Sequence, residues 1–176
     1  MITIDTLTKR NHDFASHRFA AGLTLMPTLR TMIVSCVDPR VDPAYVLGLE
    51  QGEAVVIRNI GGRITTATLQ AMAMLQTIAQ VQGANLGSGF NLLVLHHTDC
   101  GITRLEAKPD MLAGYFGIGK AELETKAVTD PRAAVAVDVA ALKANPLLPR
   151  EWVVSGLVYD VTTGLVETVV PPGPLR

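Results

Sequence analysis

Residues 31–37, Thr31-Met32-Ile33-Val34-Ser35-Cys36-Val37, decide the fold. The run is apolar and β-branched, and Pro39 and Pro43 follow closely. It predicts a buried strand that breaks into a turn or short helix. Two further runs repeat the pattern: 54–60 (AVVIRNI), closed by Gly61-Gly62, and 91–97 (NLLVLHH). Between them, 65–82 reads as a helix with Thr65 or Thr66 near its cap and Gly83 at its end. Asp130-Pro131 opens a helix of Ala and Val that runs to about Ala144, where Asn145-Pro146 stops it. Residues 152–159 and 165–170, joined by the loop 160–164, suit a hairpin. Residues 11–22 suit an amphipathic helix ending near Gly22.

Short, continuously apolar strands alternating with helices mean an α/β fold. The expectation is a mostly parallel central sheet flanked by helices, with about four parallel strands and an antiparallel C-terminal edge strand. No repeat, low-complexity tract or linker divides the 176 residues, so 1–176 is expected to be one domain, with 1–30 as a helical arm packing on a partner subunit. In sheets of this kind ligands bind beyond the carboxyl ends of the strands. Both cysteines, Cys36 and Cys100, fall at such ends.

Composition excludes several function classes. Apolar residues make up 48% of the chain and aromatics 5%, while 15 basic residues face 16 acidic ones for a net charge of −1. That balance gives no electrostatic case for nucleic acid or an anionic membrane. Mean hydropathy of +0.30 excludes a disordered chain. Two cysteines cannot form a secreted disulfide framework. Residues 1–30 carry Asp5, Lys9, Arg10, Asp13 and Arg18 and lack the apolar core of a secretory signal, so a cytoplasmic protein is expected. Residues 64–98 contain no Asp, Glu, Lys or Arg in 35 positions. Either the helix there is internal or it forms a subunit interface, since interface cores are depleted in charge. A homodimer is the expectation.

Two clusters carry chemistry: Cys36-Val37-Asp38-Pro39-Arg40 and His97-Thr98-Asp99-Cys100-Gly101. Cys, His and carboxylate are the ligand types zinc prefers, and four positions complete a tetrahedral site. Cys36, His97 and Cys100 fit that set, with either Asp38 or water as the fourth. H-x-x-C alone is a weak signal; C-x-D-x-R at a second strand end makes it strong. His96 and His97 point to opposite faces of their strand, and the spacing to Cys100 selects His97, leaving His96 structural. Asp99 reads as a turn residue, and His12 and His17 as exposed helix residues. Gly83, Gly87 and Gly89 precede a strand, the wrong context for a phosphate loop. A Cys–His nucleophile would leave the second cysteine and the Asp–Arg pair unexplained, and no C-x-x-C motif supports redox exchange.

These residues resemble the β-class carbonic anhydrases, whose zinc signature is C-x-D-x-R followed by H-x-x-C-G. Arg58-Asn59-Ile60-Gly61-Gly62 resembles the family's R-N-x-G-G/N segment, and Gly156-Leu157-Val158-Tyr159-Asp160 its G-x-x-Y-D strand. The likeness runs in order over about residues 30–170 and fits the short subgroup. It implies one Zn2+ per subunit on Cys36, His97 and Cys100, with Asp38 and Arg40 as the catalytic dyad. Held by Arg40, Asp38 leaves the fourth position to water; released, it ligates zinc and closes the site. Gly61, Gly62 and Gly101 would let backbone approach the pocket, and Ile60 would narrow it. The implied reaction is reversible hydration of CO2 to bicarbonate by zinc-bound hydroxide. Carbonyl sulfide or carbon disulfide hydrolysis at the same zinc is the alternative, and a catalytically silent zinc protein a third reading. No Gln precedes Cys36, so one substrate-facing residue of plant-type members has no equivalent here. Arg58 and Tyr159 match two residues of the bicarbonate trap in allosteric bacterial members, but Ile33 stands in its Trp slot.

Overall fold

A computed structural model describes residues 3–84, 86, 87 and 89–176. Five strands form one sheet: β1 (Thr31–Cys36), β2 (Ala54–Asn59), β3 (Asn91–His97), β4 (Val153–Tyr159) and β5 (Val166–Pro174). Their order is β2-β1-β3-β4-β5. The first four are mutually parallel, and β5 returns antiparallel along β4. All six residues of β1 are buried, which is why its sequence is a continuous apolar run without the alternation of a half-exposed strand. Pro171, Pro172 and Pro174 fall in β5, whose outer edge needs no ladder partner.

From β1 the chain goes to β2 on one side and then to β3 on the other. That reversal opens a crevice beyond the carboxyl ends of β1 and β3. Helices α1 (Ile4–His17), α2 (Pro43–Val46), α3 (Thr66–Val81), α4 (Pro109–Phe116) and α5 (Pro131–Ala144) connect or flank the strands. Thr65 caps α3 with a reciprocal Thr65–Thr68 box, and Asp130 caps α5 by accepting from the Arg132 and Ala133 amides. The main core joins Met32, Val34, Leu92, Val94 and Val154 of the sheet to Met72, Val135 and Leu142 of the helices. Phe90 stacks on Trp152 at 4.6 Å beneath it.

Two local expectations change. The N-terminal helix spans Ile4–His17, because Thr3 caps it by accepting from Thr6, and Gly22 (φ +79°) lies in the following loop. Helix α4 lay unread in the sequence, although Pro109 at its first turn and Gly117 (φ +67°) at its end are the usual start and stop signals. No helix among the described residues is long and apolar enough to cross a membrane.

Candidate metal centre

Cys36 is the last residue of β1, His97 the last of β3, and Cys100 follows after a tight turn. Asp99 adopts φ +50° in that turn, which folds Cys100 back toward β1. One ligand atom from each of the three residues lies within 4.8 Å of the others, and all three residues are buried. The two sulfurs are 3.8 Å apart. Thiolates at zinc's ordinary bond length of about 2.3 Å and a tetrahedral angle would also sit about 3.8 Å apart. His97 Nδ1 donates to the Thr98 carbonyl at 2.8 Å, which leaves the lone pair on Nε2. That Nε2 is buried and has no protein partner. A buried imidazole nitrogen beside two thiols fits a zinc ion as its missing partner.

The thiols' electrostatics suit the same role. A hydrogen bond from Cys100 pulls the Cys36 thiol down against the cost of burial, and the Asp38 amide adds to it. Donating that bond, and being buried, pushes Cys100 up. A bound cation would take the place of the thiol protons.

Asp38 and Arg40 meet next to the thiols. Arg40 Nη2 lies 2.7 Å from Asp38 Oδ2 and Arg40 Nε 3.1 Å from Oδ1, while the Arg40 amide donates to Oδ1 at 2.9 Å. The Arg40 side-chain hydrogen bonds are the main reason Asp38 is held down to about 2. Asp99 does more than turn the chain: its carboxylate and its carbonyl both accept from Arg40. Arg58 has Nε on the Cys36 carbonyl (2.8 Å), Nη2 on the Asp38 carbonyl (2.7 Å) and Nη1 on the Asp42 carboxylate (2.6 Å). Its donors brace the loop between Cys36 and Asp42, and Ile33 is buried within β1.

The glycines divide. Gly61 and Gly62 have φ +77° and +68°. A Cβ on Gly62 would come within 3.0 Å of the Cys36 amide nitrogen. A Cβ on Gly101 would meet nothing within 4 Å in the single chain. Ile60 is half exposed, and its carbonyl accepts from the Tyr115 hydroxyl at 2.7 Å. A cavity of about 50 Å3 adjoins the centre, lined in part by Gly61, His97, Cys100 and Ile102.

His96 faces the other way. Its Nε2 lies 3.2 Å from the Gly62 carbonyl and 3.1 Å from Asp138, which also pairs with the buried Arg63 at 2.7 Å. Sequence spacing gave no sign of Arg63, Asp138 or Tyr115, since each meets the site region through a partner more than thirty positions away.

Comparison with known proteins agrees with this geometry. The carbonic anhydrase family profile matches residues 31–115. The chain is 31% identical to Beta-carbonic anhydrase 1 of Mycobacterium tuberculosis over 97% of its length and 100% of the relative's. It is 25% identical to the Carbon disulfide hydrolase of Acidianus sp., over 91% of its own length and 85% of that protein's. The carbonic anhydrase structure from Streptococcus mutans superposes with a TM-score of 0.72 and 32% identity, covering 96% of this chain and 98% of that one. The chain belongs to the β-class carbonic anhydrase family.

Proposed function

We propose that this protein is a zinc-dependent enzyme that interconverts CO2 and bicarbonate. The observation that carries the reading is the unpartnered, buried His97 Nε2 beside two thiols 3.8 Å apart, next to an Asp38 already engaged by Arg40. Cys36, His97 and Cys100 would hold one ion per chain. Zinc there supplies a Lewis acid that makes hydroxide available from water near neutral pH and above. Arg40 keeps Asp38 ionised and engaged, which would leave a fourth position on the ion open to water. Asp38 accepts the hydrogen bond of the attacking hydroxyl and aims its lone pair at the carbon of CO2. Val41, Ile102, Leu112 and Phe116 pack around the thiols, surroundings that suit a small, uncharged substrate.

The similarity to proteins named carbon disulfide hydrolase, at 25% and 26% identity over 91% of this chain, supports CS2 or carbonyl sulfide as a second reading. Rates on CO2, carbonyl sulfide and CS2, measured for the wild type and Cys100→Ala, separate the readings. CO2 turnover lost in the variant supports hydration. Turnover confined to the sulfur substrates supports the second. A zinc-loaded protein inert toward all three is a silent zinc protein.

A homodimer completes the proposal. Met74, Ile78 and Val81 of the uncharged helix α3 are exposed in the single chain, and α1 buries none of its residues. Those faces support the arm and α3 as contacts with a second copy. Two thiols that must remain reduced to bind metal support a cytoplasmic setting.

A further inference from the structure

Among the described residues, two buried side-chain polar atoms have no hydrogen-bond partner: His97 Nε2 and Arg63 Nη1. A zinc ion accounts for the first, and nothing in the proposed reaction uses the second. Both residues line the cavity of about 50 Å3 beside the metal centre, with Cys100, Ile102, Val128 and Ala134 among its other walls. Arg63 is 1% exposed, and its remaining donors are taken. Nε lies 2.7 Å from Asp138 Oδ2, while Nη2 donates to the Lys126 carbonyl at 2.7 Å and to Asp138 Oδ1 at 3.4 Å. The Phe116 ring centroid is 4.9 Å from Cζ, a contact with the charge that engages no particular N–H.

The chemistry of the cavity selects its occupant. Asp138 already neutralises Arg63, and Asp99, which also lines the cavity, is held by Arg40 and Arg104. No positive charge is left over to repay the burial of an anion. The volume is several times the ~10–15 Å3 that one water needs, and a buried water also asks for about two to four polar partners. Walls such as Ile102, Val128 and Ala134 suit instead a small neutral molecule that asks for one donor. We propose that Arg63 is a specificity-determining residue: its Nη1 donates to an oxygen of CO2 held in this cavity, beside His97 and Cys100, and so favours CO2 over CS2. An oxygen atom accepts that hydrogen bond and a sulfur accepts it only weakly. The inference deepens the CO2 reading of the metal centre and rests on it for its part in turnover.

Crystals of the wild-type chain, some pressurised with CO2 and others soaked in CS2, test the site directly. CO2 is expected in the cavity with one oxygen about 3 Å from Arg63 Nη1, and CS2 at lower occupancy. The variant Arg63→Lys keeps a cation for Asp138 and removes Nη1. In the zinc-loaded variant the KM for CO2 is expected to rise about fivefold, the worth of one ordinary hydrogen bond, with kcat within about twofold of wild type. A purely structural role would not raise KM alone. A cavity holding only water or bicarbonate, CS2 at equal occupancy, or an unchanged KM overturns the proposal. The wild-type crystals decide the case if the variant does not fold. A chain that holds CO2 on Arg63 but hydrates none refutes the proposed reaction and leaves the binding site standing.

Discussion

Arg40 holds Asp99 by two bonds, Nη1 to the carboxylate at 2.9 Å and Nη2 to the carbonyl at 3.0 Å, while its Nε and Nη2 hold Asp38. The arginine is therefore clamped from the strand end that carries His97 and Cys100, and it clamps in turn the loop that follows Cys36. The Asp38–Arg40 pair is thus built across the two halves of the candidate metal centre. Asp99→Ala is expected to lower CO2 hydration by only about two- to fivefold, because the pairs it breaks are exposed. Arg40→Ala, which frees Asp38, is expected to cost about 10- to 100-fold. Stopped-flow hydration rates check the order of the two effects; equal losses would refute the clamp.

The pH response has two parts with defined signs. Two thiolates neutralise the charge of Zn2+, so the water they serve should be less acidic than the ~7 of three-histidine sites. CO2 hydration is expected to rise with pH across the alkaline range, and a flat profile between about pH 6 and 9 would speak against the two-thiolate donor set.

Asp38 governs the acid side. Its folded value, about 2, lies below its ordinary 3.8, so the stability it contributes is fully present above that ordinary value and is lost as pH falls through about 2. Asp38→Asn is expected to make the acid-unfolding curve of the metal-free protein shallower between those limits. Unchanged steepness would mean that the Arg40 pair does not perturb Asp38.

The ion pair behind the centre predicts a larger effect. Arg63 and Asp138 are 1% and 3% exposed, and His96 Nε2 lies 3.1 Å from the same carboxylate. Asp138→Ala leaves the Arg63 charge buried without compensation and is expected to cost about 3–5 kcal/mol. Denaturant titration measures it, and a loss under about 1 kcal/mol would show that water or a rearranged chain relieves Arg63.

Glycine substitutions separate two neighbours of the ligands. At Gly62 an alanine meets fixed backbone at 3.0 Å with φ +68°, so Gly62→Ala is expected to destabilise by at least about 2 kcal/mol and to weaken metal retention. Gly101→Ala enters open space and is expected to be nearly silent. Thermal unfolding of the two variants should differ plainly.

The strands were legible because burial on both sheet faces leaves a continuous apolar signature, as in β1. The three residues of the candidate metal centre were legible because zinc-ligating residue types recur at two strand ends: spacing names Cys36, His97 and Cys100, and the sheet gathers them into one buried group. Asp99 was read only as a turn residue, since its partners Arg40 and Arg104 become visible only once the loops are folded. Arg63, Asp138 and Tyr115 carried no local signal either. Each is an ordinary helix or loop residue until tertiary structure brings β3, α4 or α5 against the turn at Gly61. The end of the N-terminal helix was misplaced because Gly22 looks like a stop signal, whereas the α1 pattern ends earlier with no core to extend it.

X-ray absorption at the zinc edge of the purified protein tests the central claim most directly. The account predicts one zinc per chain with two sulfurs at about 2.3 Å, one imidazole nitrogen at about 2.0 Å and one light-atom neighbour in the fourth position. A chain without zinc, or a first shell holding other than two sulfurs, would contradict it.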